Sequence, residues 1–325
     1  MSNSTPSNIK PLITPEMALP ALQQYFDRPI LDLTVVQGGQ VAQTFSFAVA
    51  PSPGAPRSET RHYIARFNAT MLVNFEKEAY AYEHFASPTI PIPRVVHLGR
   101  LGDVHFAIAE KSPGKSLLEI ARSDYLALIP KLIDLLDAIH QLPIGDHPGY
   151  GIFGGNGEAF WPTWRAHLAF VREEEPKGDF YEGWHSLFQT SFLERDLFDT
   201  LYARMTQFLD SCPEDRYMVH GGYGFGNVLV DNGRITAVLD WMDARYGDFL
   251  YDVAWLDFWS PDDAWHDRFQ QHYQHTGKPV HSYDERILCY QCYMALETFK
   301  FSAKAGDKSL YDFAKARIHS LLQSR

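Results

Sequence analysis

Short strand-like runs of apolar and polar positions fill the first third of this chain, and a helical period follows. Residues 43–50 alternate cleanly, and 32–37, 63–67, 94–98 and 105–110 read as further strands. Such alternation turns one face of a strand to a core and the other to water. The five runs predict an antiparallel sheet of about five strands. Two helices are expected beside it. Residues 15–27 follow Thr14, a capping hydroxyl, and begin with Pro15, which suits a first turn. Residues 75–86 set Glu76, Lys77, Glu78 and Glu83 among aromatic positions, and Pro91 and Pro93 end the run. Residues 1–13 read as disordered. The Pro-, Ser- and Gly-rich stretch 51–60 reads as a loop.

From Ser116 the pattern is mainly helical, most clearly at 126–141. Residues 142–160 are rich in Gly and Pro and read as a long loop. Helices are expected again at 161–172, 191–209, 251–259, 265–275 and 285–303. This order predicts an α+β chain of two lobes, with a strand-rich lobe over residues 1–111 and a mainly helical lobe over 112–325. The joint falls near Lys111–Gly114. No internal repeat is visible.

Composition narrows the reading. The chain has 325 residues, 45% of them hydrophobic, enough for a sizeable core. Its net charge of −11 argues against a nucleic-acid partner and suits a small cationic ligand. No apolar run approaches about 18 residues, so no membrane-spanning helix is expected. The polar N-terminus shows no signal peptide. A cytoplasmic monomer is expected. The cysteines, Cys212, Cys289 and Cys292, fit no disulfide framework. Cys289 and Cys292 form a lone C-x-x-C, a weak zinc or redox signal, and are expected as reduced cysteines on one helix.

The candidate chemistry lies in His220-Gly221-Gly222-Tyr223-Gly224-Phe225-Gly226-Asn227 and the segment directly after it. Residues 228–230 are apolar, Asp231-Asn232-Gly233 is a turn, and a strand runs to Asp240-Trp241. Asn-Gly between apolar runs predicts a hairpin. A two-residue loop pairs Asn227 with Val238 and puts Asp240 two residues beyond, roughly 7 Å along the strand. Two such oxygen-bearing side chains can hold Mg²⁺, with phosphate and water completing its shell. The competing reading is a surface hairpin whose ends these residues cap. In phosphotransferases of the protein-kinase type, the catalytic loop carries an Asp where this chain has Gly222, ahead of a metal-binding Asn.

Several segments together resemble the aminoglycoside phosphotransferase family, most closely its hygromycin B phosphotransferases. They are Tyr63-Ile64-Ala65-Arg66-Phe67-Asn68, Glu83-His84-Phe85-Ala86-Ser87 with Ile90-Pro91-Ile92-Pro93, Thr163-Trp164-Arg165, Cys212-Pro213-Glu214, the run from Asp231 to Trp241, and Gly247-Asp248 with Tyr251-Asp252-Val253-Ala254. The resemblance implies a bilobal kinase-like fold: an antiparallel N-lobe sheet with a helix, and a helical C-lobe holding a catalytic β-hairpin. It implies ATP or GTP between the lobes and Mg²⁺-dependent phosphoryl transfer to a hydroxyl of an amino sugar. It casts Arg66 as the cation over the phosphates, Glu78 as its ion-pair partner, and Asn227 and Asp240 as metal ligands. It makes His220 a residue that orients the loop, and Asp248 and Asp252 residues that cap or brace the segment after the metal site. Glu110 and Lys111 fall where the base is held by backbone groups. Gly39, after Gly38, is either a plain turn or a close approach to phosphate. Asp243 faces the acceptor or is merely solvated. Trp259 and Trp265 line a sugar site or pack in the core. The run Glu173-Glu174-Glu175 attracts a polycation or is a solvated face.

Gly222 stands where the family has its Asp, which orients the attacking hydroxyl. Loss of a positioned base costs about 10²–10⁴-fold in rate. Three accounts are open: an inactivated enzyme, a nucleotide-binding pseudokinase or regulatory protein, or an enzyme in which Asp243 has taken over. The acceptor alternatives are a macrolide, choline or a sugar amine.

Overall fold

The computed structural model describes residues 9–39, 41–56, 60–70, 75–278 and 280–324. The first helix, α1 (Pro15–Gln23), starts where its cap dictates, with the Thr14 hydroxyl accepting the Met17 amide at 3.4 Å. Then come β1 (Ile30–Val36), β2 (Gln43–Val49), β3 (Arg61–Asn68), α2 (Phe75–Phe85), β4 (Val95–Leu101) and β5 (Val104–Glu110). The strands form one antiparallel sheet in the order β1-β2-β3-β5-β4. Phe45, Phe47, Phe67, Phe106 and Ile108 share its buried face with Leu22 of α1. Ile13 is also buried in this core, so order begins inside the stretch expected to be disordered. Residues 1–8 of that stretch, and 57–59 of the expected loop, lie outside the described residues.

The remainder comprises β6 (Lys115–Ser116), α3 (Arg122–His140), β7 (Tyr150–Phe153), β8 (Ala159–Trp161), α4 (Trp164–Ala169), α5 (Leu187–Thr190), α6 (Arg195–Thr206) and β9 (Tyr217–Val219). A hairpin of β10 (Val228–Asp231) and β11 (Arg234–Val238) is followed by β12 (Arg245–Gly247) and by α7 (Leu250–Trp259), α8 (Trp265–His275), α9 (Tyr283–Ala305) and α10 (Lys308–Ser324). The stretch 142–160 is not a plain loop: β7 lies within it and β8 begins there. Together with β12 and β9 they make a second sheet, β8-β7-β12-β9. These strands are three or four residues long and mostly buried, so no alternation announces them. The helical reading stops at 303, yet α10 follows; Tyr311, Ala314, Ile318 and Leu321 recur on its buried face at helical spacing. The three cysteines are buried and free. Among the described residues no helix is long and apolar enough to cross a membrane.

One large core joins these helices, and it also takes in Ala81 and Phe85 of α2 with Ile90 and Ile92 after it. The segment leaving α2 is further tied to the hairpin, because the Val238 amide donates to the Pro91 carbonyl at 2.7 Å. Apolar burial therefore carries α2 onto the helical part, beside the hairpin.

Candidate active site

The hairpin turns at Asn232 and Gly233, both with positive φ (49° and 70°), as a tight two-residue hairpin turn demands. Asp231 pairs with Arg234 and Val230 with Ile235, but the register then slips by one at a bulge, and Val228 pairs with Val238. The expected partnership of Asn227 with Val238 is thus corrected. The Leu239 amide donates instead to the Asn227 carbonyl at 2.7 Å. The bulge brings Asp240 one residue closer to Asn227's partner, about 3.3 Å of strand rather than twice that.

The loop before the hairpin is held by buried groups. Asp252 accepts the His220 and Gly221 amides, each at 2.8 Å, and meets His140 Nε2 at 3.0 Å. Burial opposes its charge, but these hydrogen bonds, led by that from His140, keep its pKa below the usual carboxylate range. His220 is fully buried. Its Nε2 donates to the Leu239 carbonyl at 3.0 Å and its Nδ1 accepts the Gly222 amide at 3.2 Å. Burial lowers its pKa, in keeping with a neutral, orienting ring. Asp248 is buried too, paired with Arg286 and the Tyr290 hydroxyl, and caps the Leu250 amide at 3.1 Å.

Gly221 and Gly222 differ. Gly221 has φ +80°, and a Cβ there would lie 2.3 Å from the Asp243 carbonyl oxygen, so only glycine fits. Gly222 is outside the left-handed region, and a Cβ would meet Asn227 Nδ2 at an ordinary 3.4 Å. Nothing in the backbone requires glycine there. Asn227 Nδ2 donates to the Gly222 carbonyl at 2.9 Å, which orients the amide and leaves its oxygen for another partner.

Asp240 is held at φ +64°, and its Oδ1 is buried with no hydrogen-bond partner among the described residues. Burial, opposed first by Arg66, pushes its pKa up to about 7. Arg66 is ion-paired to Glu78. Burial works against its charge, yet Glu78 and then Asp240 raise its pKa. An unsatisfied carboxylate oxygen near an oriented amide oxygen suits a hard cation that takes its other ligands from phosphate and water. Among the described residues no group of three or more His, Cys, Asp or Glu gathers to hold a metal.

Lys77 is the neighbour that sequence reasoning missed. It is 1% exposed, and its ammonium donates to the carbonyls of Met242, at 2.8 Å, and Ala244, directly after Asp240. It also lies 4.2 Å from the Phe153 ring centroid. A lysine between Glu76 and Glu78 reads as surface charge. The available signal was spacing, since 77, 81 and 85 fall on the buried face of α2. Burial lowers its pKa to about 7, below the ordinary 10.5. Between these values the unfolded chain binds the extra proton, so this group makes stability rise as pH climbs from about 7 to 10.5. Lys77→Met should flatten that rise in urea unfolding of the metal-free protein. Equal slopes in parent and variant would refute the assignment.

Other expected residues divide. Gly38 and Gly39 take positive φ in the β1–β2 connection, where Gly38 O accepts Lys10 Nζ at 2.9 Å. The Glu110 and Lys111 amides are bonded to Arg94 and His62 carbonyls at 2.9 Å each, so neither amide is free for a base. Asp243 is exposed, with its Cβ 3.2 Å from where a Cβ on Gly221 would sit. Of the two roles open to Trp259 and Trp265, a sugar wall or packing, their contacts are those of packing. Trp265 is 1% exposed, and Trp259 stacks on Phe313 of α10 at 5.5 Å, so both serve packing. In the acidic run, Glu173 and Glu174 are exposed whereas Glu175 faces buried Lys300 at 3.4 Å.

The chain is similar to hygromycin-B 4-O-kinase of Escherichia coli, 29% identical over 323 residues, covering 97% of this chain and 87% of that protein. Its fold matches the crystal structure of aminoglycoside phosphotransferase APH(4)-Ia with a TM-score of 0.79 and 28% identity, over 96% of this chain and 99% of that one. A thermostable mutant of APH(4)-Ia, in ternary complex with AMP-PNP and hygromycin B, matches at 0.78 and 27%, over 94% and 97%. The kinase-like α+β arrangement is thereby established for the part of the chain that these matches cover. The phosphotransferase enzyme family (APH) matches residues 53–283, and with most of its length inside that match the chain belongs to this family.

Proposed function

We propose that the chain transfers the γ-phosphoryl group of Mg²⁺-bound ATP or GTP to a hydroxyl of a hygromycin B-like aminoglycoside, at a rate limited by the missing carboxylate at Gly222. One observation carries this reading: Asp240, whose buried Oδ1 has no partner among the described residues, is within electrostatic reach of the Arg66–Glu78 pair, and the amide of Leu239 before it bonds the Asn227 carbonyl. The nucleotide would lie between the strand-rich residues 1–111 and the helical residues 112–325. Mg²⁺, when bound, neutralises charge on the phosphates during transfer. Arg66, fixed by Glu78, adds a second positive charge to the phosphates. Asn227 and Asp240 supply protein oxygens to the metal. The acceptor hydroxyl attacks the γ-phosphorus, the bond to the β-γ bridging oxygen breaks, and the hydroxyl proton leaves to water or to Asp243. The adenine or guanine would be read by backbone groups beside Glu110 and Lys111 other than their two amides, with Gly39 near the phosphates.

The aminoglycoside acceptor rests on the relatives' substrate and on carboxylates near Tyr181. Burial first, and then Glu297, Asp243, Glu175 and Asp179, raise the pKa of the half-buried Tyr181 hydroxyl. A second reading, a nucleotide-binding pseudokinase, is favoured by Gly222 alone. Both readings place the chain in the cytoplasm, where nucleotide and Mg²⁺ are abundant, and treat it as a monomer because one chain holds every group named.

Calorimetry with ATP and with GTP, each with Mg²⁺, should show binding of at least one. Thermal melts should rise with hygromycin B, because a ligand that binds only the folded state stabilises it. Failure of both nucleotides sinks the reading. A response to macrolides or choline but to no aminoglycoside overturns the acceptor. Nucleotide and acceptor binding without any detectable turnover selects the pseudokinase.

A further inference from the structure

The turn that follows Asp240 has three successive carbonyls held by buried cations. Lys77 Nζ donates to the carbonyls of Met242, at 2.8 Å, and Ala244. The carbonyl between them, that of Asp243, accepts Arg245 Nε at 3.0 Å. Both cations are inside the protein, Lys77 at 1% exposure and Arg245 at 5%. Each also lies over a ring: the Lys77 ammonium is 4.2 Å from the Phe153 centroid, and the Arg245 guanidinium 4.5 Å from that of Tyr251. Gly221 closes the turn from another side, where a Cβ would come within 2.3 Å of the Asp243 carbonyl oxygen.

An ammonium is costly to take out of water, and an apolar side chain of similar length would fill the same space without that cost. What an apolar side chain cannot do is donate to two carbonyls at once. Lys77 does so across 165 positions of chain, from α2 to the turn. The next residue of the same helix, Glu78, pairs with Arg66 of β3. Neighbouring positions of α2 thus reach two parts of the candidate site, the turn after Asp240 and the cation expected over the phosphates.

We propose that Lys77 is a positioning residue: through the Met242 and Ala244 carbonyls it ties the turn after Asp240 to α2, and so holds Asp240 at a set distance from the Arg66–Glu78 pair. Asp240 has a left-handed backbone, at φ +64°, a conformation that a residue with a Cβ keeps only where its surroundings impose it. The clamp supplies that constraint from the side of α2. In this role Lys77 acts through the backbone and transfers no proton. The assignment rests on the reading of Asp240 as a metal ligand.

Hydrogen exchange on the metal-free, full-length protein tests the clamp. In Lys77→Met the amides of residues 242–244 should exchange about tenfold faster or more, while those of the first sheet keep their rates. Phe153→Leu is the control. It shrinks the ring beside the ammonium and leaves both hydrogen bonds, so it should lower stability without singling out 242–244. Calorimetry with ATP, in Mg²⁺ and then in a chelator, tests the positioning. The gain in ATP affinity that Mg²⁺ confers should fall about tenfold in Lys77→Met. Charge alone has the opposite sign, because removing a cation near Asp240 favours a metal ion there. Lys77→Gln keeps a donor on a shorter side chain and should fall between the parent and Lys77→Met in both measurements; it carries the test if Lys77→Met does not fold. The proposal is overturned if exchange at 242–244 rises no more than elsewhere. It is equally overturned if exchange rises there but the gain from Mg²⁺ is unchanged or larger, which leaves Lys77 a structural tie only. A parent whose ATP binding gains nothing from Mg²⁺ overturns the metal reading, and the positioning role with it, whereas the exchange result needs no metal and separates the two failures.

Discussion

Gly222→Asp is expected to raise phosphoryl transfer to the acceptor by roughly 10²-fold or more, because a positioned base contributes about 10²–10⁴-fold. The loop is already built to receive it. Asp252 holds the Gly221 amide, His220 holds the Gly222 amide, and the Asn227 side chain holds the Gly222 carbonyl. A Cβ at 222 meets nothing closer than 3.4 Å, and the backbone there is not left-handed. The substitution should fold normally, and nucleotide affinity should change little, because the new carboxylate addresses the acceptor hydroxyl. Asp243→Asn in the parent is the control, since Asp243 packs against Gly221. If Asp243 has become the base, its removal should abolish residual turnover and Gly222→Asp should add little. If Gly222→Asp gives no transfer despite demonstrated binding of both substrates, the missing-carboxylate account fails.

Asp240→Asn should produce the opposite pattern, with turnover falling about 10²–10³-fold or more while the fold holds. Asn is chosen because it tolerates the left-handed backbone at φ +64° and keeps the side-chain shape. The folded pKa of about 7 lies above the ordinary Asp value of 3.8. From pH 3.8 to 7 the native protein therefore binds more protons than the unfolded chain, and stability from this group falls as pH rises. Above about pH 7 the whole penalty of the buried carboxylate is present. Neutral Asn lacks it, so at pH 8 without metal the variant should melt no lower than the parent. The stabilisation that Mg·ATP confers on the parent should disappear in the variant. A variant that is still stabilised by Mg·ATP, and turns over normally, would remove Asp240 from the site.

The sequence by itself determined the alternating strands of the first sheet, the helices α2, α3, α7 and α8 to within a few residues, and the tight turn at Asn232-Gly233. Each is a local property of period, capping or turn chemistry. It also set Asn227 and Asp240 at the two ends of one hairpin, with Gly222 in the loop just before it, because they are near neighbours along the chain. Arg66 and Glu78 came from resemblance rather than spacing, and their ion pair is a contact between β3 and α2. Tertiary structure alone decided the rest. A bulge moves Asn227 opposite Leu239, and the Val238 amide of the same strand bonds Pro91, far away along the chain. Lys77 is a charged residue among charges until the large core draws α2 inward and buries its ammonium beside Met242 and Ala244. Asp252 and His140 meet across a long stretch of chain, so no motif could foretell that they hold the loop. Trp259 and Trp265 are apolar rings in either role, and only the position of the neighbouring helices showed that they pack rather than line a site. Gly222 divides between the two sources: the sequence showed the missing side chain, and the fold showed that there is room for one.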